Sequence, residues 1–293
     1  MASANQIKMK TTQTQRFLRA ALWRGQRVVN WLRNKLIYAR DARALTRELL
    51  ADITQLNEQE VNNTRAKIRE FCLAREYDRE TQDMWETHIY RLMLTEKWIA
   101  DIMASLPGNG KALDLGVEGI ASDYWRSKFP QVQWENTDYD LRFPWKVAAS
   151  SVDLIVCTEL VEHLSDQPNE IFNEGFYKLG FNSLLRESFK ALKPGGFMFL
   201  TTPNAASVWH VKEVLRGKPP WFFIKHVREY TLPEVVEMLT GAGFEIVRQQ
   251  DIHCMSVMAY SDYSPIFQLL LENGFPTNGR GDDLFILAHK PDL

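Results

Sequence analysis

Residues 151–164 read SVDLIVCTELVEHL. Val152, Leu154, Ile155 and Val156 form a short continuous apolar run, the pattern of a central parallel strand covered by helices on both faces. Cys157 and Thr158 end the run, and Glu159, Glu162 and His163 follow at helical spacing. At about 100° per residue these three share one side of a helix, while Leu160, Val161 and Leu164 take the other. The stretch therefore predicts two carboxylates and an imidazole at the carboxyl end of a strand, where open α/β sheets bind ligands.

Outward from this stretch, strand and helix signals alternate. Upstream, Ala112–Leu115 reads as a strand closing on the turn Gly116–Gly119, then a helix over Ile120–Lys128 and a strand over Val132–Thr137. Downstream, a polar segment to Gly180 leads into a helix to Leu192. Lys193, Pro194, Gly195 and Gly196 read as a tight turn into a strand, Phe197–Thr202. Ser207–Arg216 reads as helix, and Thr231 with Glu234 as the capping box of a helix ending near Gly241. Phe244–Val247 and Asp283–Ala288 read as the last strands, with a helix near Pro265–Glu272 between them. Such alternation is the signature of a parallel sheet with right-handed crossovers.

With 293 residues, 45% hydrophobic and 25% charged, the chain has room for one large α/β domain and an appendage. No run approaches the ~18 apolar residues of a membrane span, and the N-terminus lacks a signal peptide's apolar centre. Cys72, Cys157 and Cys254 form no CxxC pair, which fits a reducing compartment and argues against a structural zinc. We expect a cytoplasmic location. Residues 1–50 hold 11 Lys or Arg against Asp41 and Glu48, a net +9, and the remaining residues carry −11. We expect three regions: a basic amphipathic helical arm at 1–50, a helical lead-in at 51–110, and the catalytic domain at 111–293, after the break Pro107, Gly108, Asn109 and Gly110. In the arm, Leu18, Leu22, Val29, Leu32 and Leu36 recur at helical spacing beside Trp23 and Trp31. Such a helix lies on an anionic membrane surface as a peripheral contact, binds nucleic acid, or docks on the acidic body.

Four segments, read in order, resemble the motifs of class I S-adenosylmethionine-dependent methyltransferases over about Lys111–Lys290. They follow LDLGVEGIAS and are VQWENTDYDLRFPW, SVDLIVCTELVEHL, ALKPGGFMFLTTPN and HVREYTLPEVVEMLTGAGFEIV. The TTPN and HVREYT elements resemble those of members that modify polysaccharides and sugars. The resemblance implies a Rossmann-like α/β fold: a mostly parallel, seven-stranded sheet with its last strand antiparallel, preceded here by the N-terminal helical extension. It implies S-adenosyl-L-methionine as cofactor, with Asp114, Gly116, Glu118 and Gly119 at its methionine part, Asp138 beside the adenine, and Thr158 and Glu159 lining the pocket.

Two departures stand out. The first motif's later glycines are replaced at Glu118 and Ile120, and only 39 positions separate Asp114 from Asp153, fewer than the family's usual spacing. A helix and a strand after the first βα unit are therefore expected to be reduced or fused. Glu135, Asp138 and Asp140 all compete for the ribose-binding role.

The E-x-x-E-H at Glu159, Glu162 and His163, with His226 downstream, resembles the metal site of small-RNA 2′-O-methyltransferases. It implies that these four residues hold Mg2+ or Mn2+, a cation that would acidify and align an acceptor hydroxyl. Without a metal, His163 or His226 serves as general base beside Glu162. The surface alternative is a solvated Glu-Glu-His face. Trp221, Phe222 and Phe223 either stack on a sugar or base or, the more frequent case, anchor their loop in the core. The expected function is O-methylation of a hydroxyl on a saccharide or glycan precursor. RNA 2′-O-methylation, with nucleic acid the less favoured partner, and a non-catalytic scaffold are the alternatives.

Overall fold

The structure, a computed structural model, describes residues 25, 28–29, 31–106, 110–165, 180–255 and 261–292. Leu18, Leu22 and Trp23 of the arm, the break at Pro107–Asn109 and most of the polar segment before Gly180 lie outside the described residues. Packing separates two compact units, one of residues up to Arg47 with Asp262–Thr277, the other of Glu48–Ser261 with Asn278–Leu293. Most of helix α1 (31–49) belongs to the first, and its leading turns expose Trp31, Leu32 and Leu36.

In the second unit, α2 (Ala51–Thr54), α3 (Glu58–Ala74), α4 (Arg79–Glu86) and α5 (Ile89–Ser105) precede the sheet. The sheet and its helices then run β1 (Lys111–Asp114), α6 (Ile120–Lys128), β2 (Gln133–Asn136), β3 (Val152–Thr158), α7 (Gly180–Ala191), β4 (Leu192–Pro203), α8 (Val208–Leu215), α9 (Leu232–Gly241), β5 (Glu245–Ile252) and β6 (Asp283–His289), with α10 (Ser264–Glu272) in the first unit. The strand order is β2-β1-β3-β4-β6-β5. The first four strands are mutually parallel, and β6 runs antiparallel to both β4 and β5.

Side chains alternate across β3. Leu154 and Val156 join a core built with α3, α5 and α6, while Val152, Ile155 and Cys157 face α7 and α9 in a second core. Both faces are buried, which is why the strand reads as an unbroken apolar run. The lead-in contributes Ile68, Trp98 and Ile99 to the first core, so helices α3 and α5 pack as part of the same unit as the sheet.

The described sheet has six strands, not seven. A parallel strand needs a crossover of a dozen or more residues, and the 15 residues between Asn136 and Val152 leave no room for both crossover and strand. The Lys193–Gly196 turn is also corrected. Those residues belong to β4, where the β3–β4 register shifts and Gly195 adopts φ +71°.

Phe199 is fully buried, its ring centroid 6.0 Å from Trp98 and 5.9 Å from Phe285. Phe199→Ala should lower unfolding free energy by about 3–5 kcal/mol in urea denaturation, because the two aromatic neighbours cannot collapse into the space. A loss below about 1 kcal/mol would contradict this packing.

Candidate active site

The carboxyl ends of β1 and β3 open on a cavity of about 580 Å³. Asp114, Gly116, Gly119 and Ser122 line one part of it, and Thr158, Glu159, Glu162, His163 and His226 another. Met84, Trp85, His88 and Arg91, from α4, α5 and the turn between them, complete the wall.

The β1–α6 turn is fixed by a small network. Ser122 Oγ donates to Asp114 Oδ2 at 2.6 Å, Asn136 Nδ2 donates to the same oxygen at 3.1 Å, and the Gly116 amide donates to Thr137 Oγ1 at 2.7 Å. Gly116 has φ +111°, and a Cβ there would meet no protein atom within 4 Å. Backbone thus forms this wall, as close approach by a ligand requires. Glu118 and Asp138 do not line the cavity. Glu118 is half exposed and pairs with Arg126 and with Arg75. Asp138 is exposed. Of its two competitors, Glu135 pairs with Lys111 at 2.8 Å and Asp140 with Arg142 at 2.7 Å, so Asp138 is the uncommitted carboxylate of the three.

The expected helix at Glu159 is absent. Glu159 adopts φ +50°, a left-handed conformation that costs a non-glycine residue energy and stops a helix from starting there. A single 3-10 turn, Val161–His163, follows. As a result Glu159, Glu162 and His163 do not share a solvated face. Glu159 accepts from Thr201 Oγ1 at 2.9 Å and pairs with Arg91 Nη1 at 2.5 Å. Glu162 is fully buried, and its Oε2 accepts from Thr202 Oγ1 at 2.9 Å.

Glu162 also ties in the distant His226. Its carbonyl accepts from the Val227 and Arg228 amides at 2.8 and 3.2 Å, which sets the His163 and His226 rings 4.8 Å apart. One ligand atom from each of Glu162, His163 and His226 lies within 4.8 Å of the others, a set able to hold a cation. Glu159 is not in that set: its carboxylate is taken by Arg91 and Thr201.

Sequence reasoning missed the groups that set these side chains. Glu229 is almost fully buried and accepts from His226 Nδ1 at 2.6 Å, His210 Nε2 at 2.5 Å and the Phe222 amide at 2.7 Å. Burial pushes its carboxyl up, yet the bonds from His210 and His226 hold it below the usual range. With Nδ1 engaged by Glu229, Nε2 is the His226 nitrogen left to serve the cluster. Arg91, buried in α5, lies between Glu159 and Asp283. Its one sequence signal is a cation set among Ile89, Tyr90, Leu92 and Met93.

The electrostatics favour neutral forms. Burial drives Glu162 well above the usual carboxylate range, and the neighbouring Glu159 charge adds to the effect. Burial and then Glu159 do the same to Asp283. His163 is held down by burial and by His226. Glu162 Oε1 and Asp283 Oδ1 are buried on the cavity wall without a hydrogen-bond partner, which a bound ligand or cation would supply.

Trp221 and Phe223 are 49% and 47% exposed, so they do not anchor their loop in the core; Phe222 is half-buried, stacked on Trp209 at 4.4 Å on the cavity wall.

A family model described as a methyltransferase domain matches residues 84–249. A protein of Mycolicibacterium smegmatis described as a probable S-adenosylmethionine-dependent methyltransferase is 27% identical over 152 residues, 52% of this chain and 49% of its own length. The chain thus spans about half of that relative. A SAM-dependent methyltransferase structure from Archaeoglobus fulgidus superposes with TM-score 0.44 at 14% identity, covering 71% of this chain and 99% of that one. One from Methanosarcina mazei gives 0.39 at 15%, covering 65% and 97%.

Burial raises the Asp114 carboxyl from 3.8 to about 6, against the opposing bonds from Ser122 and Asn136. A carboxyl whose folded value exceeds its unfolded value stabilises the fold at low pH, fully below the unfolded value, and loses that contribution as pH rises through the folded value. Between about pH 4 and 7 the chain should therefore lose about 2–3 kcal/mol relative to Asp114→Asn, which cannot ionise. Denaturant titrations across that window check this; parallel curves for the two proteins would contradict it.

Proposed function

The chain belongs to the methyltransferase-domain family, and from that premise we propose that it transfers a methyl group from S-adenosylmethionine to an acceptor hydroxyl. The observation that carries the reading is the arrangement within one cavity: the Gly116 backbone wall on one part and the Glu162, His163 and His226 cluster on another. Its volume, about 580 Å³, suits a cofactor and part of an acceptor. When bound, the cofactor supplies a methyl group made electrophilic by a sulfonium centre.

The chain's own residues then have distinct work. Gly116 and Gly119 leave room for backbone approach, and Thr158 borders the same space. Glu162 Oε1, buried and unpartnered, accepts from the acceptor hydroxyl, or with His163 and His226 would hold a divalent cation that lowers that hydroxyl's pKa. Two imidazoles and a carboxylate fit Mn2+ better than Mg2+. In the absence of a cation His226 Nε2, kept as a lone pair by Glu229, takes the hydroxyl proton. Arg91 neutralises Glu159, so the second carboxylate does not repel the forming alkoxide.

For the acceptor class we propose a saccharide or glycan precursor. Support comes from the TTPN and HVREYT elements at 201–204 and 226–231, and from a cavity whose polar groups, Glu162, Asp283 and the two imidazoles, can exchange hydrogen bonds with hydroxyls. The arm adds a proposed peripheral membrane contact: Trp31, Leu32 and Leu36 are exposed beside Arg33 and Lys35.

Two outcomes test this function. Gly116→Val should abolish S-adenosylmethionine binding in a folded protein; unchanged affinity would remove the cofactor site from this turn. In transfer assays with saccharide acceptors, a shared cation predicts that chelation stops turnover and that Glu162→Gln and His226→Ala each cost several kcal/mol, the double variant little more. If a histidine alone is the base, chelator leaves turnover intact and one histidine dominates, at about a hundredfold to ten-thousandfold.

A further inference from the structure

Residues 214–228 read VLRGKPPWFFIKHVR, with Arg216, Lys218, Lys225 and Arg228 and no carboxylate. On the same segment Val214, Leu215, Trp221, Phe223, Ile224 and Val227 are 47–85% exposed, Ile224 the most. Apolar side chains scattered singly over a surface need no explanation, but six on one short segment do.

The segment is held from within. The Phe222 amide donates to Glu229 Oε1 at 2.7 Å, the His226 amide to the Phe223 carbonyl at 3.0 Å, and the Val227 amide to the Glu162 carbonyl at 2.8 Å. Its apolar groups are therefore presented by a braced backbone, and little ordering entropy remains to be lost when they are covered. Phe222, Phe223 and His226 line the cavity, so whatever covers Trp221 and Ile224 lies beside the cavity's own wall.

Charge selects the occupant. Glu213 pairs with Arg216 and Lys218, and Glu234 with Arg228. Four cations against these two carboxylates leave the segment positive, in a chain of net charge −2. Tryptophan, phenylalanine and isoleucine interleaved with Lys and Arg match an interface whose apolar layer begins a few ångströms beneath anionic headgroups.

We propose that residues 214–228 are an interfacial docking element for anionic lipid bilayers, which sets the active-site cavity at the membrane surface so that its acceptor is an amphiphile held there. The choice of acceptor rests on the cavity's being the methyl-transfer site; the docking does not.

Sedimentation of the full chain with vesicles of phosphatidylcholine containing phosphatidylglycerol, against phosphatidylcholine alone, tests it. Partition should be stronger on the anionic vesicles and weaken with salt. Trp221→Ser/Ile224→Ser should reduce it roughly tenfold, and Lys218→Glu/Lys225→Glu should do the same at low salt. Both variants should keep the circular dichroism and S-adenosylhomocysteine affinity of the unaltered chain. Unchanged partition in both variants would overturn the proposal and assign membrane contact to other residues. Failure of the unaltered chain to prefer anionic vesicles would overturn it too, leaving a protein partner as the occupant. If the variants lose vesicles while no form of the chain binds S-adenosylhomocysteine, docking stands and the methyl-transfer reading fails.

Discussion

The Glu162 carbonyl, accepting from the Val227 and Arg228 amides, joins two parts of the chain more than sixty residues apart. That junction brings the backbone at 227–228 to Glu162 and, with the Glu229 bond to His226, sets the two imidazoles side by side. The junction is possible because Glu159 adopts φ +50° and ends β3 without starting a helix. A regular helix would have turned the Glu162 carbonyl toward its own fourth following amide. The local cost of a left-handed glutamate is offset by its bonds to Arg91 and Thr201. The site thus depends on strain at one residue and on a cation contributed by the lead-in.

That cation reaches the site because the lead-in helices pack on the sheet through an apolar core that includes Ile68, Trp98 and Ile99. Arg91 is buried between Glu159 and Asp283, and Glu162 lies nearby. Burying three carboxyls around one guanidinium is expensive, and apolar side chains of similar volume would stabilise a core better. Such groups persist where function requires them. Glu229 adds the second layer: with His210 and His226 bonded to its two oxygens, it orients the His226 ring beside the Glu162 and His163 cluster.

The architecture was legible wherever periodicity carries the signal. The apolar run at 152–156, the Thr231–Glu234 capping box and the shortened spacing from Asp114 to Asp153 each correspond to an observed feature. The site was legible in part. Asp114, Gly116, Gly119, Thr158, Glu159, Glu162, His163 and His226 do line one cavity. Their division of labour was not legible, because helical spacing assumes regular φ and ψ, and Glu159 breaks that assumption. Arg91 and Glu229 act through tertiary contacts that no spacing encodes. Trp221 and Phe223 looked like core anchors because large aromatics usually are; their exposure depends on how Glu229 and Glu162 brace the loop.

The central claim is that one cavity holds S-adenosylmethionine against the Glu162, His163 and His226 cluster. The most direct measurement is a crystal structure of the chain grown with saturating S-adenosylhomocysteine. The account requires density for the ligand within the cavity, its amino-acid end beside the Gly116–Gly119 turn and its sulfur facing the space in front of Glu162 and His226. Density bound elsewhere, or a cavity filled only by solvent at ligand concentrations that saturate other methyltransferases, would contradict it.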